Sequence, residues 1–419
     1  MDNTYILSDD GKTIKGINDN VVHLIIPEGV TNIGGKAFEN CISLQSIDIP
    51  NSVKSIGWYA FAGCTSLQSI EIPYGVTSIN NGAFRGCTSL QSIEIPNGMT
   101  KIGVGVFAGC TSLQSIEIPQ SVTYIVGAFR GCTSLKSIDI PNSVTKIDGP
   151  AFRNCTSLQN IDIPNSVIEI GKSAFQGCTS LNSIIIPNSI TKIGDFAFSE
   201  TGLIKIGIPA SVVFIGKHAF CNSPISEFIV EENNLHFISI DGVLLSYAGF
   251  TDKGKDIYIL QKYPPKKSQH KYIIEANIHQ LDCCAFKGAQ NLEEIILHDN
   301  ISNFGDEQTF VLCTSLKEIR IPPKIKRLPP SCFAGCIALE NVYICDREKL
   351  QIEKKTFEGC SSIKGLHFRI YKPENIAVAA NAFDEETFDN CVLFVPSGTR
   401  WAYRHHPILG KFKNIEIEK

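Results

Sequence analysis

Phenylalanine returns along this chain with the regularity of a rung. It stands at Phe38, Phe61, Phe84, Phe107, Phe129, Phe152, Phe175, Phe198 and Phe220 in steps of 22 or 23 residues, then at Phe286, Phe310, Phe333, Phe357 and Phe383 in slightly longer steps. A unit of this length cannot bury its apolar face alone and must stack on its neighbours, so the period predicts a solenoid. An array growing in one dimension also escapes the limit that would split a compact chain of 419 residues into several cores.

The stretch from Phe61 to Ile79 serves as the template of one unit. Leu67, Ile70 and Ile72 alternate with Gln68, Ser69 and Glu71, which predicts a first strand with its aliphatic side inward, ended by Pro73. Val76 and Ile79 mark a second short extended run. It is closed by Gly34, Gly57, Asn80, Gly103, Asp148, Gly171, Gly194 or Gly216, residues suited to left-handed backbone. The following Ala-Phe step leaves room for one short 3₁₀-like turn. The phenylalanines form the expected core column, each ring burying roughly 150–250 Å².

Three residues after each ring comes Cys41, Cys64, Cys87, Cys110, Cys132, Cys155, Cys178, Cys313, Cys336 or Cys360. Spacing tied to the repeat argues for a column of buried, reduced thiols that donate to neighbouring carbonyls. Parallel side chains one strand spacing apart are poorly placed for disulfides. Cys283-Cys284 falls outside the column and is the candidate reactive thiol.

The expected organisation has five parts. Residues 1–24 are an N-terminal capping hairpin around Asp10-Gly11, and 25–222 the first array. Residues 223–277 lack the Ala-Phe unit and read as inserted β-hairpins, either a structural splice or, through a tip at Gly249 to Lys255, a partner-contacting loop. The second array spans 278–380. A C-terminal cap, 381–419, holds a last strand, an amphipathic helix from about Gly398 to His405, and Phe412, Ile415 and Ile417.

A net charge of -4, with 19% charged residues, supplies no global field for nucleic acid or an anionic membrane. Apolar runs such as Val392 to Val395 are strand-length, so no transmembrane segment is expected. Met1-Asp2-Asn3-Thr4 carries no basic or apolar leader, which makes a cytoplasmic location one expectation and a surface chain lacking its leader the other. No nucleophile elbow or His-Glu-x-x-His motif occurs. The glycines of Gly103 to Gly109 occupy repeat positions, and His405-His406 has no acidic or thiol partner at ligand spacing. No catalytic residue, cofactor or resident metal is therefore expected.

The outward side of strand one remains. Two residues before the strand-ending prolines stand Asp48, Glu71, Glu94, Glu117, Asp139 and Asp162, then Ile185 and Gly207, and the corresponding strand-one places of the second array hold Ile296, Arg320 (before Pro322), Tyr343 and His367. A flanking column holds Gln45, Gln68, Gln91, Gln114, Lys136, Gln159 and Asn182. The acidic row reads either as a solvated face or as a docking strip for a basic protein or for calcium. The candidate partner-binding residues are the six acids with Gln68, Gln91, Gln114, Arg320, Tyr343 and His367.

The pattern Cys-Thr-Ser-Leu-x-Ser-Ile-x-Ile-Pro-x-x-Val-Thr-x-Ile-Gly-x-x-Ala-Phe runs from Cys64 to Phe84, with Asn80 in the glycine place. It resembles the BspA-like, or treponemal-type, leucine-rich repeat over nearly the whole chain. The resemblance implies a right-handed leucine-rich-repeat superhelix, mostly β with short helical turns and a parallel sheet on the strand-one face. It also implies protein recognition, often as an adhesin toward matrix proteins on host-associated microbes, and it carries no catalytic residues. The expected function is non-enzymatic protein–protein recognition by a monomer, at a cell surface or, alternatively, as a cytoplasmic interaction scaffold.

Overall fold

The computed structural model describes residues 5–18, 21–100, 102–251 and 254–418. Met1-Asp2-Asn3-Thr4 thus lies outside the described residues, as do 252 and 253 of the Gly249 to Lys255 tip. The chain divides into two compact units, Met1–Ser223 and Pro224–Lys419, each built of parallel β rungs in the right-handed leucine-rich-repeat fold. Among the described residues, no helix is long and apolar enough to cross a membrane.

In the first unit, strand one pairs in parallel one repeat apart, as in His23–Ile25 with Ser46–Asp48 and Ser137–Asp139 with Asn160–Asp162. The second runs form their own ladders, one containing Asn32–Ile33, Ser55–Ile56 and Ser78–Ile79. That ladder begins on Thr13–Ile17, which pairs antiparallel with Tyr5–Leu7 around a left-handed Gly11. The hairpin places buried Ile14 beside Ile33, covering the first second-strand run.

The phenylalanine rings are buried and stack face to face from Phe38 to Phe220, with centroids 5.1 to 5.9 Å apart. Backbone hydrogen bonds lock the same step: the Phe61 N–H donates to Ala83 O at 2.7 Å, and the Phe38 N–H to Ala60 O at 2.7 Å. Within a turn the bonds span three residues, Cys64 N–H to Phe61 O and Leu67 N–H to Cys64 O. A left-handed residue between them, such as Gly63 or Asn154, stops any helix from propagating.

The glycine column has a different cause from the one its residue type suggests. Gly34, Gly57, Gly103, Gly171, Gly194 and Gly216 are absent from the left-handed positions, which fall two residues later at Lys36, Tyr59, Gly105, Ser173, Phe196 and His218. Close approach is what the column answers. A Cβ on Gly57 would meet Gly35 N at 2.5 Å, and one on Gly194 would meet Gly171 C at 2.7 Å. Asn80 avoids a clash in the same place while its amide donates to Ile56 O at 2.9 Å.

Each column thiol from Cys64 onward donates to the phenylalanine carbonyl of the preceding rung, as Cys87 to Phe61 O at 3.2 Å and Cys155 to Phe129 O at 3.1 Å. Burial pushes the Cys87 and Cys155 thiols up to about 12.

In the second unit, the segment read as inserted hairpins is a meander that runs into the solenoid. Phe237–Ile240, Val243–Phe250 and Asp256–Lys262 pair antiparallel, and the last of these then pairs in parallel with Ile278–Leu281. Tyr263 follows and takes the phenylalanine place. It is 1% exposed, stacks on Phe286 at 5.3 Å, and its N–H donates to Ala285 O. Rings continue from Phe286 through Phe310, Phe333 and Phe357 to Phe383.

Phe388 and Phe412 meet Phe383 edge-on at 5.9 and 5.5 Å, ending the stack with perpendicular rings. The helix Arg400–Arg404 buries Tyr403, whose hydroxyl donates to Ile370 O at 2.8 Å. Phe412 and Ile415 are buried, but Ile417, grouped with them above, is 46% exposed although it shares the face of Ile415, for it ends the last strand, Asn414–Ile417. His406 is structural: Nδ1 accepts the N–H groups of Ile408 and Leu409, leaving Nε2 to donate to Ile376 O at 2.9 Å.

Two outcomes follow from this core. Phe152→Ala leaves a hole between two stacked rings and should cost about 3–5 kcal/mol, read from denaturant midpoints at unchanged slope; a cost under about 1 kcal/mol would mean an exposed ring. A thiol reagent should leave Cys87, Cys110, Cys132 and Cys155 unlabelled in the folded chain and label all four after unfolding, by mass spectrometry of peptides.

Candidate functional site

Alternation along strand one turns Leu67, Ile70 and Ile72 into the core of the first unit and leaves Gln68, Ser69 and Glu71 exposed. In-register pairing then lines up the same position from rung to rung. Asp139 sits beside Asp162, Glu94 bridges to Glu117, and Ile25 precedes Asp48 at the start of the row. The glutamines align through their backbones, Gln68 N–H to Gln45 O and Gln91 N–H to Gln68 O, with Gln114 next. All six acids and Gln68, Gln91 and Gln114 are exposed. The row ends at exposed Ile185 and Gly207.

Charge balance separates the two outward ladders of this unit. On the second run, Lys146 Nζ lies 2.9 Å from Asp148 and 3.5 Å from Glu169, and Lys192 Nζ lies 3.0 Å from Glu169. The Asp148 hydrogen bond holds the Lys146 ammonium above the usual lysine range. On strand one, Asp48 has a histidine partner, His23 Nε2 at 3.6 Å. Among the described residues, Glu71, Glu94, Glu117, Asp139 and Asp162 have no ion pair. Shallow grooves run beside them, one lined by Glu117, Gln120, Asp139 and Asn142, another by Glu94, Asn97, Glu117 and the 79% exposed Tyr74.

The second unit carries a different row on its seven-stranded sheet. Arg320, Tyr343 and His367 are in register, and Phe394 continues them. Tyr343 and Phe394 sandwich the His367 ring at 4.5 Å on each side. Arg320 is held by Asp299 at 2.7 Å. Burial pushes the His367 imidazole below the usual histidine value, against the upward pull of Glu418, whose Oε1 lies 3.8 Å from Nδ1. A Cβ on Gly365 would meet Asn341 Oδ1 at 2.6 Å and His367 Nε2 at 2.8 Å, so a side chain there would have to displace both. Phe394 was legible: it stands two residues before Pro396, the offset that defines the column.

The structure thus brings the six acids and the glutamines together on one face and Arg320, Tyr343 and His367 on another. Cys283 and Cys284, singled out above for reactivity, are 5% and 1% exposed, and burial of this kind shields a thiol from reagents.

Among curated proteins, none matches this chain. Among solved structures, a leucine rich cell surface protein of Faecalibacterium prausnitzii A2-165 is 26% identical, with a TM-score of 0.54 over 88% of this chain and 93% of that one. A leucine-rich repeat protein of Bacteroides ovatus ATCC 8483 is 27% identical, with a TM-score of 0.51 over 87% and 92%. The BspA type leucine rich repeat region matches residues 17–127, 126–239 and 265–393. With that much of the sequence covered by the repeat pattern, and its rungs built as the pattern requires, the chain belongs to the BspA type leucine-rich-repeat family.

Proposed function

We propose that this chain is a protein-recognition module whose first unit docks a basic segment of a partner protein on the strand-one face. The observation that carries the reading is the row Glu71, Glu94, Glu117, Asp139 and Asp162, exposed and without counter-ions among the described residues, on the same unit that neutralises its Lys146–Glu169–Lys192 ladder. Carboxylates on adjacent rungs, about 5 Å apart, repel by roughly 0.8 kcal/mol per pair at water's dielectric, less in salt. A basic surface laid along the row relieves that repulsion and speeds encounter. Gln68, Gln91 and Gln114 supply amide donors and acceptors alongside.

The cell-surface description of the F. prausnitzii protein favours adhesion over an internal scaffold as the setting of this binding. Protease treatment of intact cells followed by detection of this chain separates the two. A second reading places recognition on Arg320, Tyr343, His367 and Phe394, favoured by their stacked, half-buried rings.

Replacing Glu94, Glu117 and Asp139 by Gln, Gln and Asn should weaken binding of a lysine-rich peptide by roughly tenfold at low salt, a few tenths to one kcal/mol for each lost charge pair. The salt dependence should flatten and the melting temperature hold or rise. Unchanged affinity and unchanged salt slope would move recognition to the Tyr343 row.

A further inference from the structure

Where the meander of the second unit runs into the solenoid, the surface holds a groove of about 530 Å³, within the roughly 300–1,000 Å³ of small-molecule sites. It opens at the junction of the parallel pair Asp256–Lys262 and Ile278–Leu281, where the Tyr258 N–H donates to Asn277 O at 2.9 Å. Asp256 and Tyr258 line it from the first strand, and Glu275, Asn277 and His279 from the second and the turn before it. Lys255 stands at the rim.

The fold leaves these side chains largely unused. Neighbouring charges are paired, Lys267 with Asp241 at 3.1 Å and Lys271 with Glu294 at 2.9 Å. Lys255, Asp256, Glu275 and His279 form no ion pair among the described residues, and Asp256 accepts only the Tyr258 hydroxyl, at 3.1 Å. Asn277 Oδ1 is buried without a hydrogen-bond partner among the described residues. An acceptor left in that state is costly, and the broad side-chain torsion of an amide lets it turn to a donor arriving in the groove.

An aromatic patch adjoins this polar lining. Tyr247 and Tyr258 are cross-strand partners with ring centroids 6.2 Å apart, and Phe250 meets Tyr247 edge-on at 5.4 Å. Phe250 is 67% exposed and pairs across the strands with Asp256, so its ring stands beside the carboxylate.

We propose that this groove binds an uncharged carbohydrate, one or two pyranose rings of a glycan. Carboxylates and an ammonium share the lining, so an ion of either sign meets a like charge there, whereas a neutral ligand does not. Sugar hydroxyls both donate and accept. They donate to Asp256, Glu275 and Asn277 Oδ1, and they accept from the Lys255 ammonium and a ring N–H of His279. The C–H face of a pyranose is apolar, with its hydrogens slightly positive, which suits the electron-rich face of an aromatic ring such as Phe250. The site lies in the second unit and is independent of the acidic row of the first.

Saturation-transfer NMR of the full chain tests this with cellobiose, lactose, maltose and N,N′-diacetylchitobiose as probes. Glucosamine and glucuronic acid serve as charged comparators. At least one neutral disaccharide should bind with a Kd of about 0.1–10 mM, with its ring C–H protons the most strongly saturated, and both comparators should bind at least about threefold more weakly. Phe250→Ala, at an exposed position, and Asn277→Ala should each weaken binding by about fivefold or more, while Glu94→Gln in the first unit leaves it unchanged. No saturation of any of the four disaccharides at about 10 mM would overturn the proposal, as would tighter binding of either comparator. Affinity unchanged in both Phe250→Ala and Asn277→Ala would overturn it equally. The first two readings use the native sequence, so a variant that fails to fold cannot obscure them.

Discussion

Every rung leans on the ring of the one before it. A phenylalanine from each unit stacks on its neighbours at 5.1 to 5.9 Å, and the backbone N–H of the same residue is bonded to the next rung, so side chain and main chain enforce one register together. The thiol three residues later adds a third link, to the phenylalanine carbonyl of the preceding rung. A rung alone would have none of these bonds satisfied, which is why the unit exists only as a stack. Where a stack ends, its exposed ring needs a substitute partner. Phe383 meets Phe388 and Phe412 edge-on, at 64° and 82°, a contact that covers the ring while offering no further face to stack on.

This constraint explains what could be read in advance and what could not. A core that repeats by contact must repeat in residue type, so Phe152, Leu158 and Cys155 announced their burial by position alone. The glycines were legible as a column but not in cause. Gly57 and Gly194 are bare because the next backbone approaches within the radius of a methyl group, and residue type cannot distinguish that need from a left-handed dihedral. Tyr263 was hidden because its rung has Lys262 and Pro265 in place of the usual alanine and turn glycine. Only its stacking on Phe286 and its bond to Ala285 O reveal it as a rung residue. Phe394 carries the column's offset from Pro396 but sits in the strand that reads as part of the C-terminal cap.

The candidate face was legible to the same depth. Alternation on strand one fixed which residues point outward, and parallel register fixed that Asp139 stands beside Asp162. The partners of those side chains were beyond alternation. That His23 reaches Asp48, or that Lys146 and Lys192 share Glu169, depends on rotamers and on residues a full repeat away.

Because the stack's energy lies in Phe, Leu, Ile and Cys contacts between adjacent rungs, outward positions are nearly free of the fold. A carboxylate row costs a rung far less than the loss of one core ring, so stability neither demands the row nor removes it. The same freedom would have admitted a lysine at any of these positions, as it did at Lys146 and Lys192 on the second ladder. Five consecutive rungs instead leave the acids from Glu71 to Asp162 without an ion pair among the described residues, and the row stops at Ile185 with the core beneath unchanged. A change of surface over a constant core is what the stacking physics leaves open to selection for a partner, and it confines any such selection to side chains that the core never touches.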